Sequence, residues 1–104
     1  MSERSVKLIL EDIIEATENV ILYIGEMSYA EFSLDKKTKD AVVRNFEIIG
    51  EAVNRLPVSL INQHPEVEWH KAISMRNKLI HGYFDVDYGM VWFTAKNILP
   101  GFLN

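Results

Sequence analysis

Arg76, Asn77, His81 and Tyr83 fall within one short run, Arg76-Asn77-Lys78-Leu79-Ile80-His81-Gly82-Tyr83. A permanent cation, an amide, an imidazole and a phenol are thereby set close together. The planar fork of an arginine holds phosphate oxygens, and an imidazole takes or gives a proton near neutral pH. These groups are a minimal set for breaking a phosphodiester without a metal. The same residues have a plainer use, since a cation and a histidine near a helix C-terminus offset the negative end of the helix dipole. Spacing alone does not choose between the two.

Spacing does impose a geometric condition. Arg76 and His81 are five residues apart, so on one continuous helix they would point ~140° away from each other. Either the helix ends near His81 and the chain turns at Gly82, or two copies of the motif meet across a dimer. We expect both.

The elements that must position this run are helical. Val6, Ile9, Leu10, Ile13, Ile14, Ile21 and Ile24 recur at helical spacing, extended by Thr17 and Val20, with Lys7, Glu11, Asp12, Glu15 and Glu18 opposite. Ser2 or Ser5 can cap the start of this helix and Gly25 can close it. Residues 26 to 35 read as a connector, with Asp35 capping a second helix whose stripe is Val42, Phe46, Ile49, Val53 and Leu56. Pro57 limits that helix. Gly50 interrupts the stripe, where it costs roughly 1 kcal/mol relative to Ala, and the expected reason is the close approach of another helix backbone.

Residues 58 to 64 can form a short helix before His64-Pro65. From Glu68 a third long helix carries Trp69, Ala72, Ile73, Leu79 and Ile80 up to Gly82. A last helix from Asp87, which with Asp85 supplies its cap, turns Met90, Val91, Thr94 and Ile98 inward and stops at Pro100-Gly101. No repeat, low-complexity tract or period-two strand appears. The pattern predicts an all-α fold, an antiparallel bundle of four to five helices.

The 104 residues bound this to one domain over 1–104. A hydrophobic fraction of 48 % supports a true core. The absence of cysteine removes disulfides, thiolate chemistry and Cys-based zinc sites. The amphipathic N-terminus is unlike a signal peptide, and no window approaches the ~18 uninterrupted apolar residues of a membrane span. The expectation is a soluble cytoplasmic protein. A net charge of −4 argues against a general nucleic-acid coat protein. That charge is uneven: His70 to Phe84 holds Lys71, Arg76, Lys78 and two histidines with no carboxylate, whereas residues 11 to 31 hold six acids and no Lys or Arg.

Other candidates offer less chemistry. His64 and His70, with Glu66 and Glu68 between them, superficially suggest a metal site but contain no helical i, i+4 ligand pair, so no metal is expected. Glu47 and Glu51 share a helix face and are expected to pair with Arg44 or Arg55. Trp69, Phe84, Trp92 and Phe93 are expected in the core or at an interface. No Gly-rich phosphate loop is present, so no nucleotide cofactor is expected and the chain is not itself a nucleotidyltransferase.

The motif Arg76-Asn77-x3-His81-x-Tyr83, preceded by Arg44-Asn45-Phe46-Glu47-x-x-Gly50-Glu51-Ala52, resembles the HepT-like group of HEPN-domain proteins. The likeness continues through His64-Pro65-Glu66, Trp69, Met75, Tyr83-Phe84-Asp85-Val86-Asp87, Val91-Trp92 and Leu99-Pro100. It implies a homodimeric helical bundle whose paired motifs line one cleft and cut RNA without metal. Arg76 and His81 would be catalytic and Asn77 would orient them. The resemblance further implies that Tyr83 accepts AMP from a minimal nucleotidyltransferase antitoxin. The plainer role for Tyr83 is an amphipathic aromatic at a subunit contact.

Two other functions stay open at this stage. The chain could be a non-catalytic subunit that binds substrate or nucleotide for a minimal nucleotidyltransferase, which its acidic charge favours. It could also be a structural dimer in which the motif only knits helices together.

Overall fold

The computed structural model describes residues 3–82 and 86–103. It contains six α-helices: α1 (Glu3–Ile24), α2 (Tyr29–Leu34), α3 (Lys36–Asn54), α4 (Val58–Gln63), α5 (Trp69–His81) and α6 (Tyr88–Asn97), followed by a 3-10 turn over Leu99–Leu103. No strand occurs among the described residues. The four long helices match the expected set. The short helix expected over residues 58 to 64 is α4, and the count rises to six because α2 is a further piece of six residues.

The α2 helix lies within the expected connector. Its start is fixed by a capping box in which the Ser28 hydroxyl accepts from the Glu31 backbone N–H and the Glu31 carboxylate accepts from Ser28. Those hydrogen bonds from Ser28 hold the Glu31 carboxyl below its ordinary range. Asp35 caps α3 as expected, accepting from the Thr38 N–H at 3.0 Å, and that bond likewise lowers its pKa. At the first helix, α1 already includes Ser5, so Ser5 is not its cap; Ser2 lies outside the described residues. Gly25 closes α1 with a φ of 49°, a conformation glycine adopts without penalty.

Ile9, Ile13, Ala16, Val20 and Ile24 of α1 pack against Val42, Phe46, Ile49 and Val53 of α3 within one core. Ile14 and Ile21, expected on this stripe, are exposed because they sit on the flank of α1 beyond the strip that α3 covers. Phe32 and Phe46 are buried completely or nearly so, and each such side chain contributes about 1.5–3 kcal/mol. Asn45 is the polar exception on α3, accepting from Asn19 of α1 at 3.3 Å and donating to the Ala41 carbonyl at 2.8 Å.

The second major contact places α5 on the other side of α3. Gly50 stands at that crossing. A Cβ there would collide with the Arg76 Cβ and come within 2.7 Å of the Ala72 carbonyl oxygen, which is the close helix approach expected from the sequence. By contrast, α6 packs on α2, α1 and the C-terminal turn rather than along α5. Lys96 ties it to the end of α1 by donating to the Gly25 carbonyl at 2.8 Å.

In α6 the inward residues are Val91 and Ala95, continued by Leu99. Of the residues expected inward, Val91 is buried, whereas Met90, Thr94 and Ile98 are only half-buried, so the buried stripe runs one residue beyond those three. The segment is apolar nearly all round and offers two competing stripes. The last helix ends at Asn97, before the expected stop at Pro100-Gly101, which lies inside the 3-10 turn that seats Phe102 against Trp69 with ring centroids 5.9 Å apart. Asp87 caps α6 by accepting from the Met90 N–H at 3.0 Å; Asp85 lies outside the described residues.

Candidate active site

Arg76, Asn77 and His81 all belong to α5, which stays helical through His81 and is capped by Gly82. The turn occurs after His81, so within one protomer Arg76 and His81 keep their ~140° separation and lie ~7.5 Å apart along the axis. One chain does not bring them onto a common face.

Asn77 stands between them. The Arg76 Nη1 donates to the Asn77 Oδ1 at 3.1 Å, while Asn77 and His81 are i, i+4 neighbours on the helix surface. The amide is therefore placed to orient both partners. Ile80, exposed, and Ile73, half-buried, lie beside Asn77 on the same side of α5.

Arg76 is half-buried, its stem lying over Gly50 of α3. Among the described residues it forms no ion pair, and its Nε is buried with no hydrogen-bond partner. A buried donor left unmet costs roughly 1–3 kcal/mol. The last-turn cations of α5 are Lys78 and His81, not Arg76. Offsetting the helix dipole therefore accounts for those two residues and leaves Arg76 unexplained.

His81 is exposed and lines a cavity of about 370 Å³ with Lys78, Leu79, Gly82, Val86, Asp87, Met90 and Val91. Its imidazole is open to a ligand from outside the protomer. Tyr83, the expected AMP acceptor, lies outside the described residues, as does Phe84.

The remaining candidates are ordinary. His64 pairs with Glu66 at 3.3 Å on the surface, and Glu47 pairs with Arg44 at 3.7 Å. No group of three or more His, Asp or Glu is arranged for a metal among the described residues. Trp69 is core and donates its indole N–H to the His64 carbonyl at 2.9 Å. Trp92 is half-buried, edge-on to Tyr29. Phe93, expected in the core or at an interface, is 55 % exposed. Sequence reasoning missed the contact of Gly50 with Arg76, although a glycine interrupting an apolar stripe signalled a close approach.

The family model described as Ribonuclease HepT-like matches residues 7–104, and the chain belongs to that HepT-like ribonuclease family. It is 45 % identical over 98 residues to a Thermococcus cleftensis protein named "Probable ribonuclease HepT", covering 94 % of this chain and 89 % of that one. It is 41 % identical over 100 residues to a Methanocaldococcus jannaschii protein named "Putative RNase MJ0127", covering 96 % and 83 % respectively. No solved structure gives a significant match. No helix among the described residues is long and apolar enough to cross a membrane.

Proposed function

We propose that residues 1–104 act as one unit, a metal-independent endoribonuclease toxin that works as a homodimer in the cytoplasm. The observation that carries this reading is the half-buried Arg76, whose Nε is unmet among the described residues, five residues from an exposed histidine on the same helix. Two α5 helices meeting about a two-fold axis near Asn77 would set the guanidinium of one protomer near the imidazole of the other. Ile73 and Ile80 supply apolar area for that contact.

In the shared groove one His81 takes the proton of a ribose 2′-hydroxyl as its oxygen attacks the adjacent phosphorus. The other His81 protonates the departing 5′-oxygen. Arg76 holds the phosphoryl oxygens as negative charge builds on them, and its Nε–H gains an acceptor. The products are a 2′,3′-cyclic phosphate end and a free 5′-hydroxyl. DNA has no 2′-hydroxyl and is expected to stay intact.

Silencing would act at Tyr83. A minimal nucleotidyltransferase antitoxin transfers AMP from ATP to the phenol oxygen; the phenol loses its proton and pyrophosphate leaves. The added phosphate charge and bulk, two residues along the chain from His81, would repel RNA. Mass spectrometry after co-expression with such a partner should find AMP mass on the Tyr83 peptide, and an unmodified peptide would remove this part of the proposal.

The test of the activity is incubation of purified protein with total RNA in EDTA, followed by analysis of the new ends. Cyclic phosphate termini are expected. Intact RNA combined with tight nucleotide or partner binding would instead make the chain a non-catalytic binding subunit, a role compatible with its net charge of −4.

A further inference from the structure

The outer side of α5 and the facing side of α6 leave an open trough between them. Lys71, Ser74 and Lys78 line it from α5, and Met90, Phe93 and Thr94 line it from α6. Lys78 and Met90 also line the His81 cavity, so the trough runs directly into it. Lys78 reaches across the gap, its Nζ lying 3.8 Å from the Met90 Sδ. Both lysines are exposed.

We infer that this trough is the track along which single-stranded RNA reaches His81, with Lys71 and Lys78 holding phosphates and Phe93 stacking a base. The inference rests on the ribonuclease reading above and adds the path and the strand type. Lys71, Ser74, Lys78 and His81 recur three to four residues apart, so they form one line along the helix. From Lys71 to His81 the line is ~15 Å long. At the ~3.4 Å per nucleotide of a stacked strand, it matches about four nucleotides.

The charge pattern suits an anionic guest. α5 carries no carboxylate, and Glu68, just before it, neutralises Lys71 only partly across 3.8 Å between two half-exposed side chains. Asp87, at the far end, is engaged as the α6 cap. Phe93 is the exposed aromatic of the trough, and a phenyl face stacks any base without sequence preference. A double helix offers its bases to no such face, which is why the occupant is a single strand.

Binding can be measured apart from cleavage. A fluorescent 2′-O-methyl oligouridylate keeps the phosphates and bases but has no free hydroxyl to attack, so it reports the track even if the catalytic reading fails. In anisotropy titrations, Lys71→Ala combined with Lys78→Ala is expected to weaken binding about tenfold at low salt. It should also reduce the slope of log affinity against log salt by roughly 1.4, the loss of two phosphate contacts on a single strand. Phe93→Ala is expected to weaken binding about fivefold or more, with Phe93→Tyr close to the parent.

Unchanged affinity in the double lysine and Phe93→Ala proteins, with native circular dichroism, would overturn the inference. So would failure of the parent to bind the oligouridylate at all. If the same variants instead changed the oligomeric state without changing RNA affinity, the trough would be a protein contact and the RNA track would be ruled out.

Discussion

His81→Ala is expected to lower RNA cleavage by about 10²–10⁴-fold, the usual contribution of a positioned acid–base group. Because His81 is exposed at the end of α5, truncation removes no core contact. Its loss from the helix C-terminus should cost no more than about 1 kcal/mol. Helicity and thermal midpoint should therefore stay near the parent values while the cyclic-phosphate products disappear. Growth inhibition should be lost in parallel. A variant that cleaves RNA in EDTA as fast as the parent would remove His81 from the chemistry. The dissociation between stability and activity is the informative part, since a residue that served only to knit helices would lose both together.

The second large effect is at Gly50, and there two physical terms predict opposite signs. Helix propensity alone says that Gly50→Ala stabilises α3 by about 1 kcal/mol. Packing says the reverse, because the new methyl would meet the Arg76 stem and sit 2.7 Å from the Ala72 carbonyl oxygen of α5. The carbonyl is backbone and cannot rotate away, so α5 must shift as a unit. Overpacking of this kind costs about 1–3 kcal/mol, and we expect net destabilisation in chemical unfolding. Activity should fall further than stability, since a displacement of ~1 Å in a catalytic group can cost about 10²-fold. A Gly50→Ala protein that is more stable and fully active would show that α5 does not depend on this contact.

Most of the scaffold was legible because long amphipathic helices announce their period. Val42, Phe46, Ile49 and Val53 recur often enough to fix both the length and the buried face of α3. The short α2 escaped because six residues hold too little periodicity, although Ser28-x-x-Glu31 was a readable start signal. In α6 Val91 was placed inward correctly, but Met90, Thr94 and Ile98 were misplaced for a different reason. Tyr88, Met90, Val91, Trp92 and Phe93 are nearly continuous apolar residues, and only the neighbouring helices decide which of them face inward.

At the site, the residue types and their separation were readable, and so was the impossibility of joining Arg76 to His81 on one helical face. The burial of Arg76 against Gly50 was not, because it arises from two segments distant in the sequence. Phe93 was assigned to the core or an interface from its apolarity, and its exposure beside Lys71 and Lys78 emerges only once α5 and α6 are placed.

The direct test of the dimeric site is chemical crosslinking, made simple by a chain that contains no cysteine. Arg76→Cys and His81→Cys proteins, which differ in mass, are mixed to exchange subunits and treated with a short bifunctional maleimide. Labelling by a monofunctional maleimide first establishes that both thiols react. A crosslinked species carrying one of each variant is expected, joining position 76 of one protomer to position 81 of the other. Reactive thiols that give no such mixed species would contradict the shared groove.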